Sequence, residues 1–323
     1  VISATASGKI ILFGEHAVVY QRPAIAVPVS QVQARVTIKK SKQPLTIQTS
    51  EFLPTPLRYG ALRENSEVLI SYADLRDDDP LKAIIQLTLR SFKVTPPHAT
   101  LTLHSTIPIA SGLGSGAAVS TAIARALAQY FKRELDSATI SSLVYEVEKI
   151  HHGTPSGIDN TVIAYGKPVY FIRGQPIETF NVAQPFRIAI ADTGIQSPTK
   201  IAVGDVRAAW EVDKDRYEKI FDGCGAIAQQ ARKLIEDGQP DQLGSLMNEN
   251  HKLLREMGVS CRELDDLVDA ATRAGASGAK LSGGGRGGNM IALVNEANED
   301  KVSEALRGAG AKQIIITTVI SDQ

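Results

Sequence analysis

Between Ile107 and Ser120 the chain reads IPIASGLGSGAAVS, three glycines and three serines directly ahead of the helix-forming stretch TAIARALAQYF. Glycine loses more backbone entropy on folding than any other residue, so this grouping implies that something approaches the backbone closely. A phosphate is the most economical candidate: a helix N-terminus presents unpaired N–H groups and the positive end of the macrodipole, and glycines let an anion reach them. Gly112, Gly114 and Gly116 open that approach, while Ser111 and Ser115 either cap the helix or offer hydroxyls to the anion. An ordinary Gly/Ser loop before an N-capped core helix explains the stretch equally well. Its spacing matches neither G-x-G-x-x-G nor G-x-x-x-x-G-K-[ST], so other parts of the chain must decide.

Two further stretches carry groups able to do chemistry. ASGKIILFGEHAVVY places Lys9 on an extended segment that ends in Gly14, Glu15 and His16. Taken alone, such a lysine is usually a surface residue and such a histidine a satisfied, partly buried one. EKIHHGTPSGIDN surrounds Asp159 with glycines, a proline and a serine, and so predicts a fixed turn before it. An aspartate in that setting is ordinarily a turn or cap residue, yet a catalytic base needs the same rigid placement.

These residues need elements to hold them. VQARVTIKK alternates Val32, Ala34, Val36 and Ile38 against polar neighbours, and ATLTLHST alternates through Leu101 and Leu103, so both predict half-buried strands. Between them, DDDPLKAIIQLTLRSF predicts a helix with Asp79 as N-cap and Pro80 at its first position. Residues 51–78 show no clear period and predict loops or short irregular elements. DSATISSLVYEVEKI places Ile140, Leu143, Val144 and Val147 at helical spacing, with Glu148 at the edge of that apolar face. From Phe186 the texture changes. RIAIADTG predicts a buried strand; residues 199–237 and 239–275 predict amphipathic helices broken near DGCG and GVS. AKLSGGGRGGNMIALV reads as strand, glycine loop and strand, followed by a helix through EDKVSEALRGAG and a last strand, KQIIITTVI. Two α+β domains joined near residue 185 are expected.

Composition narrows the function classes. The 323 residues exceed one comfortable core. Thirty-five Lys and Arg balance thirty-five Asp and Glu, which removes any global electrostatic case for nucleic acid or an anionic membrane. No stretch approaches the length of a transmembrane helix, and no signal-peptide pattern is expected. Two cysteines make a disulfide framework improbable and fit a reducing, cytoplasmic setting. The six histidines show no zinc spacing with them.

In order and at fitting separations, KIILFGEHAVVY, PIASGLGSGAAVS, EKIHHGTPSGIDN, DTGIQSPTK and AKLSGGGRGGNMIAL resemble the motifs of the GHMP kinases, and LMNENHKLLREMGVSCRELDDLV extends the resemblance. Within that superfamily it is strongest to members that phosphorylate mevalonate. It implies a two-domain α+β fold: a ribosomal-protein-S5-domain-2-like N-terminal domain, residues 1–184, and a ferredoxin-like C-terminal domain, residues 185–323. It also implies ATP and Mg²⁺, a small-molecule substrate, and an acceptor that is the C5 hydroxyl of mevalonate, with phosphomevalonate or another small alcohol as the alternative. A homodimer is compatible with it, and neither nucleic acid nor membrane is an expected partner. A nucleotide-fold sensor without catalysis is the rival class; Lys9, Glu148 and Asp159 together argue against it.

The resemblance assigns roles residue by residue. Asp159 matches the catalytic base and Lys9 the lysine that accompanies it; His16, Glu15 and Thr199 match substrate-binding positions. Pro108, Ala110, Ser111, Gly112, Leu113, Gly114, Ser115, Gly116, Ala117 and Gly284 match the ATP-binding motifs, and Glu148 matches the magnesium-binding glutamate. Two departures stand out. Many members read G-L-G-S-S-A, with the second serine facing magnesium, where this chain has Gly116; Ser115 or water then takes that place. The third motif usually runs G-A-G-G-G-G-C, where this chain has Gly284, Arg286 and Asn289 at the variable places. Arg286 either adds a phosphate contact or points to solvent, and solvent is the expectation for a charged loop residue.

Overall fold

The alternation read in the sequence becomes a ladder of buried side chains in the computed structural model, which describes residues 1–49, 68–108, 111–152, 155–197 and 199–321. The chain divides into two compact units. One comprises Val1–Gly8, Val32–Ile109 and Leu113–Gly166, the other Lys9–Gln31, Ala110–Gly112 and Lys167–Gln323. The sequence boundary at 184/185 therefore falls inside the second unit.

The first unit contains the start of β1 (Ile2–Phe13), the end of β2 (Ala24–Lys40), β3 (Thr46–Thr49), β4 (Val68–Ser71), α1 (Pro80–Phe92), β5 (Ala99–Ser105), α2 (Ser115–Tyr130), α3 (Ser137–His152) and α4 (Ile158–Tyr165). Its strands run in the order β4, β3, β5, β2. Val36 lies opposite Leu103 and Ile38 opposite Leu101, while β3 runs parallel to β5 with Ile47 opposite Leu101. All five side chains are buried, so one face of this ladder is continuous apolar surface. Against helical elements the sequence reading is specific. Asp79 caps α1, its Oδ1 accepting from the Leu81 N–H at 2.8 Å, and Pro80 occupies the first position. Asp136 accepts from the Thr139 N–H at 2.7 Å and so starts α3. In α2, residues 117–124 and 126–128 are buried; its many alanines let α1, α3 and α4 pack against it. Residues 50–67 lie outside the described part, and of the stretch expected to be irregular the rest forms β4 and a 3-10 turn at Tyr72–Asp74.

The second unit contains the end of β1, a 3-10 turn at Ala17–Tyr20, the start of β2, β6 (Val169–Phe171), β7 (Glu178–Thr179), β8 (Phe186–Asp192), α5 (Thr199–Val212), α6 (Lys214–Glu236), α7 (Leu243–Glu256), α8 (Arg262–Arg273), β9 (Gly278–Ser282), β10 (Asn289–Val294), α9 (Glu299–Gly308) and β11 (Gln313–Val319). Its main sheet runs β11, β8, β10, β9 with antiparallel neighbours throughout. Taken in chain order that is 4-1-3-2 with helical crossovers before β9 and before β11, the split βαβ arrangement of a ferredoxin-like domain. Lys9–Gln31 belongs here rather than with its sequence neighbours because it bonds to late strands: Ser282 Oγ donates to the Ile11 carbonyl at 2.7 Å.

The break expected at DGCG is absent. Residues 214–236 form one uninterrupted helix, and the interruption falls instead at Asp213, whose side chain accepts from the Arg216 N–H at 3.2 Å. The glycines serve close approach. A Cβ on Gly225 would lie 3.0 Å from Arg22 Cγ, and one on Gly223 would lie 3.0 Å from Leu253 Cδ1. The break at GVS is present, separating α7 from α8.

Candidate active site

Helix α2 begins at Ser115, and its cap is Gly114 at φ +76°, with no side-chain hydrogen bond. Ser111 and Ser115 therefore do not cap it; the left-handed turn needed here suits glycine. The first ladder bond runs from the Ala118 N–H to the Gly114 carbonyl at 2.9 Å, so the N–H groups of Ser115, Gly116 and Ala117 precede the ladder. Leu113 and Ala117 bury their side chains and offer a ligand only backbone. Pro108 is half-buried, and Ala110 lies outside the described residues.

Gly116 is exposed, and a Cβ on it would lie 3.5 Å from Glu148 Oε1. The face of α2 that lacks a side chain thus looks onto the Glu148 carboxylate at the edge of the α3 apolar stripe. Asp159 sits in the first turn of α4, not in the loop before it, after Gly157 at φ +91°. That turn is anchored. Asn160 Nδ2 donates to the Ser141 carbonyl at 3.1 Å and to Ser141 Oγ at 2.9 Å, and Thr161 Oγ1 donates to the Gly157 carbonyl at 2.6 Å. All of these groups belong to the first unit.

The second unit carries Lys9, Glu15 and His16, all buried, which removes the surface reading of Lys9. Glu15 forms an ion pair with Lys280 of β9, and both side chains are fully buried. Lys280 Nζ also donates to the Leu281 carbonyl at 2.7 Å. Burial pushes the Glu15 carboxyl up and the Lys280 amine down, each opposed by the other's charge, and the charge of Lys9 adds to the pull on Glu15. The nearby Cys224 thiol is pushed up to about 12, by burial first and then by the Glu15 charge. It is an inert core thiol.

His16 has φ +57°, a left-handed conformation that costs a non-glycine residue about 1–3 kcal/mol and concentrates at functional sites. Its Nε2 lies 3.0 Å from the Gly284 carbonyl. A carbonyl only accepts, so Nε2 carries the hydrogen. Burial lowers the ring's pKa to about 4, so the imidazole is neutral at pH 7 and Nδ1 is an acceptor. Nδ1 and Glu15 Oε2 are buried with no hydrogen-bond partner among the described residues.

The third glycine loop explains its own departures. A Cβ on Gly284 would lie 2.5 Å from Thr199 Oγ1 and 2.8 Å from Ser197 Oγ, so these hydroxyls occupy the space that alanine would fill. Ser197 Oγ in turn donates to the Gly285 carbonyl at 2.7 Å. Arg286 does not simply point to solvent. It pairs with Asp205 and approaches the Gly258 carbonyl at 3.3 Å, which leaves its side chain one-third exposed. Asn289 donates from Nδ2 to the Ser111 carbonyl.

Sequence reasoning missed Lys280 and Ser197, and singled out Asn289 without its partner Ser111. The signal for Lys280 was a lone charge in GAKLS, a strand buried at every position; a buried charge requires a partner. Among the described residues no group of three or more His, Cys, Asp and Glu is placed to hold a metal ion. No helix there is long and apolar enough to cross a membrane.

The first unit thus presents the N–H groups of a glycine-capped helix start beside a carboxylate, and the second is a ferredoxin-like unit with its own glycine loop; comparison with known proteins identifies the family. Residues 80–167 match the GHMP kinases N terminal domain and residues 231–312 the GHMP kinases C terminal domain. The chain belongs to the GHMP kinase family. It is 35% identical to a curated mevalonate kinase of Thermococcus sibiricus over 97% of this chain and 95% of that protein. It is 34% identical to the mevalonate kinase of Thermococcus onnurineus over 100% and 97%. Among solved structures, L. major mevalonate kinase in complex with R-mevalonate superposes with a TM-score of 0.82 at 31% identity, covering 99% of this chain and 96% of that one.

Proposed function

We propose that this chain is an ATP-dependent kinase that transfers the γ-phosphoryl group to the C5 hydroxyl of mevalonate, giving 5-phosphomevalonate and ADP. The observation that carries the reading is the 35% identity to a curated mevalonate kinase over 97% of the chain. The N–H groups of Gly112 and of the α2 start bind the phosphates. Asp159 accepts the proton of the C5 hydroxyl as its oxygen bonds to the γ-phosphorus and the bond to the ADP oxygen breaks. Lys9 stabilises the negative charge shifting across that group. The neutral His16 offers Nδ1 as an acceptor, which suits a substrate hydroxyl rather than a carboxylate, and Thr199 and Gly284 shape the neighbouring loop surface. The buried Glu15 fixes the backbone turn that presents His16. The free cysteines Cys224 and Cys261 accord with a reducing compartment, and we place the activity in the cytoplasm.

Magnesium fits the groups facing the α2 start. That ion prefers hard oxygen donors and commonly takes one or two carboxylates, with phosphates and waters completing its shell. Glu148 would hold it, with Ser115 as a second oxygen donor in place of the side chain that Gly116 lacks. When bound, it neutralises charge on the phosphates.

A coupled ATPase assay across mevalonate, phosphomevalonate, homoserine and galactose tests the function. Mevalonate is expected to give the highest kcat/KM; a higher value with phosphomevalonate moves the assignment to that acceptor. Magnesium titration tests the donors. Glu148→Gln is expected to raise the half-saturating magnesium concentration at least roughly tenfold, Ser115→Ala to raise it less, and Gly116→Ser to lower it. A Ser115→Ala titration that overlays the wild type removes Ser115 from the shell.

A further inference from the structure

We propose that Asn289 is a positioning residue for the nucleotide, acting through the backbone of the phosphate-binding segment. The inference rests on the nucleotide reading above. Asn289 opens β10, opposite Ser282 of β9 and Asp192 of β8, so it stands at the exit of the third glycine loop. It is 2% exposed, and its Nδ2 donates to the carbonyl of Ser111, itself 3% exposed. A Cβ on Gly112 would lie 3.8 Å from the same nitrogen. All three residues belong to the second unit.

The consequence follows from peptide geometry. In a trans peptide the C=O and N–H point in opposite directions. Holding the Ser111 carbonyl on Asn289 therefore turns the Gly112 N–H away from Asn289, and Gly112 itself is exposed. Gly112 stands at φ +78°, and glycine takes either sign of φ at similar energy, so this peptide plane has two accessible orientations without the clamp. One of them presents N–H to an anion and the other presents a carbonyl oxygen, which repels it. The side-chain amide selects the first. A cysteine, which the related motifs carry at this place, has only a weak S–H donor.

Binding of a fluorescent ATP analogue without acceptor, read beside steady-state kinetics, tests this. Asn289→Leu keeps the branched side-chain shape and removes the donor. It is expected to weaken analogue binding about tenfold, the effect of losing a buried hydrogen bond, and to raise the KM for ATP by a similar factor. The KM for mevalonate stays within about twofold, because a clamp on the phosphate segment acts on one substrate only. Asn289→Gln, which keeps the amide donor, recovers part of the loss. Should Asn289→Leu fail to fold, Asn289→Ala carries the same expectation. Wild-type affinity in the variant that folds overturns the inference, and so does an equal rise in both KM values, which would mark a general packing role. If the wild-type protein itself fails to bind the analogue, the nucleotide reading falls first and this inference with it.

Discussion

Asp159→Asn is expected to lower kcat by at least about 10²-fold, the usual size of a lost general base, while analogue binding and thermal unfolding stay close to the wild type. Geometry makes the expectation specific. Asp159 lies in the first turn of α4, and the two residues that follow it hold that turn in place. Asn160 bonds twice to Ser141 of α3, and Thr161 closes onto the Gly157 carbonyl. Asparagine has the same shape, so the turn survives and only the proton acceptor is lost. The first-turn carboxylate also gains from the helix dipole, worth about 0.3–1 kcal/mol at an exposed site, too little to unfold the protein. Single-turnover measurement at saturating ATP and mevalonate separates chemistry from release. Turnover within a few-fold of the wild type would take Asp159 out of the proton transfer.

How far the sequence reached depended on the range of the interactions. Local signals were legible. Asp79 with Pro80 marked the start of α1, and alternation at Val36, Ile38, Leu101 and Leu103 marked two strands, whose pairing only the structure shows. The glycine grouping before α2 likewise predicted a helix start that favours an anion, although the cap is Gly114 and not a serine. Signals that depend on distant partners were not legible. DGCG reads as a helix break by composition, because nothing nearby in sequence shows Arg22 and Leu253 closing on Gly225 and Gly223. The same limit hid the partners of the candidate site. Glu15 meets Lys280 across 265 positions and Asn289 meets Ser111 across 178, so the motif containing each residue was visible while the pairing was not. The left-handed backbone of His16 is a third example: a histidine after Gly-Glu carries no local code for φ +57°, and the Gly284 carbonyl that receives its ring N–H comes from the other end of the chain.

The pairing of Glu15 with Lys280 also sets the largest expected effect on stability. Lys280→Met keeps the length of the side chain and removes its charge, leaving a fully buried carboxylate without its main counter-ion. Breaking a buried pair in this way costs about 3–5 kcal/mol, because the remaining charge keeps its desolvation penalty. Replacing both partners removes that penalty, so Glu15→Gln/Lys280→Met is expected to be more stable than Lys280→Met alone. The pH dependence has a definite sign. Burial raises the Glu15 pKa above its ordinary 4.5, and loss of Lys280 raises it further. The folded variant then binds a proton that the unfolded chain has released, so its stability is greatest below about pH 4.5 and falls as pH rises toward the raised value. Urea unfolding of the wild type, both single variants and the double variant from pH 4 to pH 8 reads both effects. The deficit of Lys280→Met is expected to grow with pH, and the double variant to lack that growth. A pH-independent deficit would mean that Lys280 contributes packing at this position and not charge, since only an uncompensated Glu15 carboxylate couples the loss to proton release.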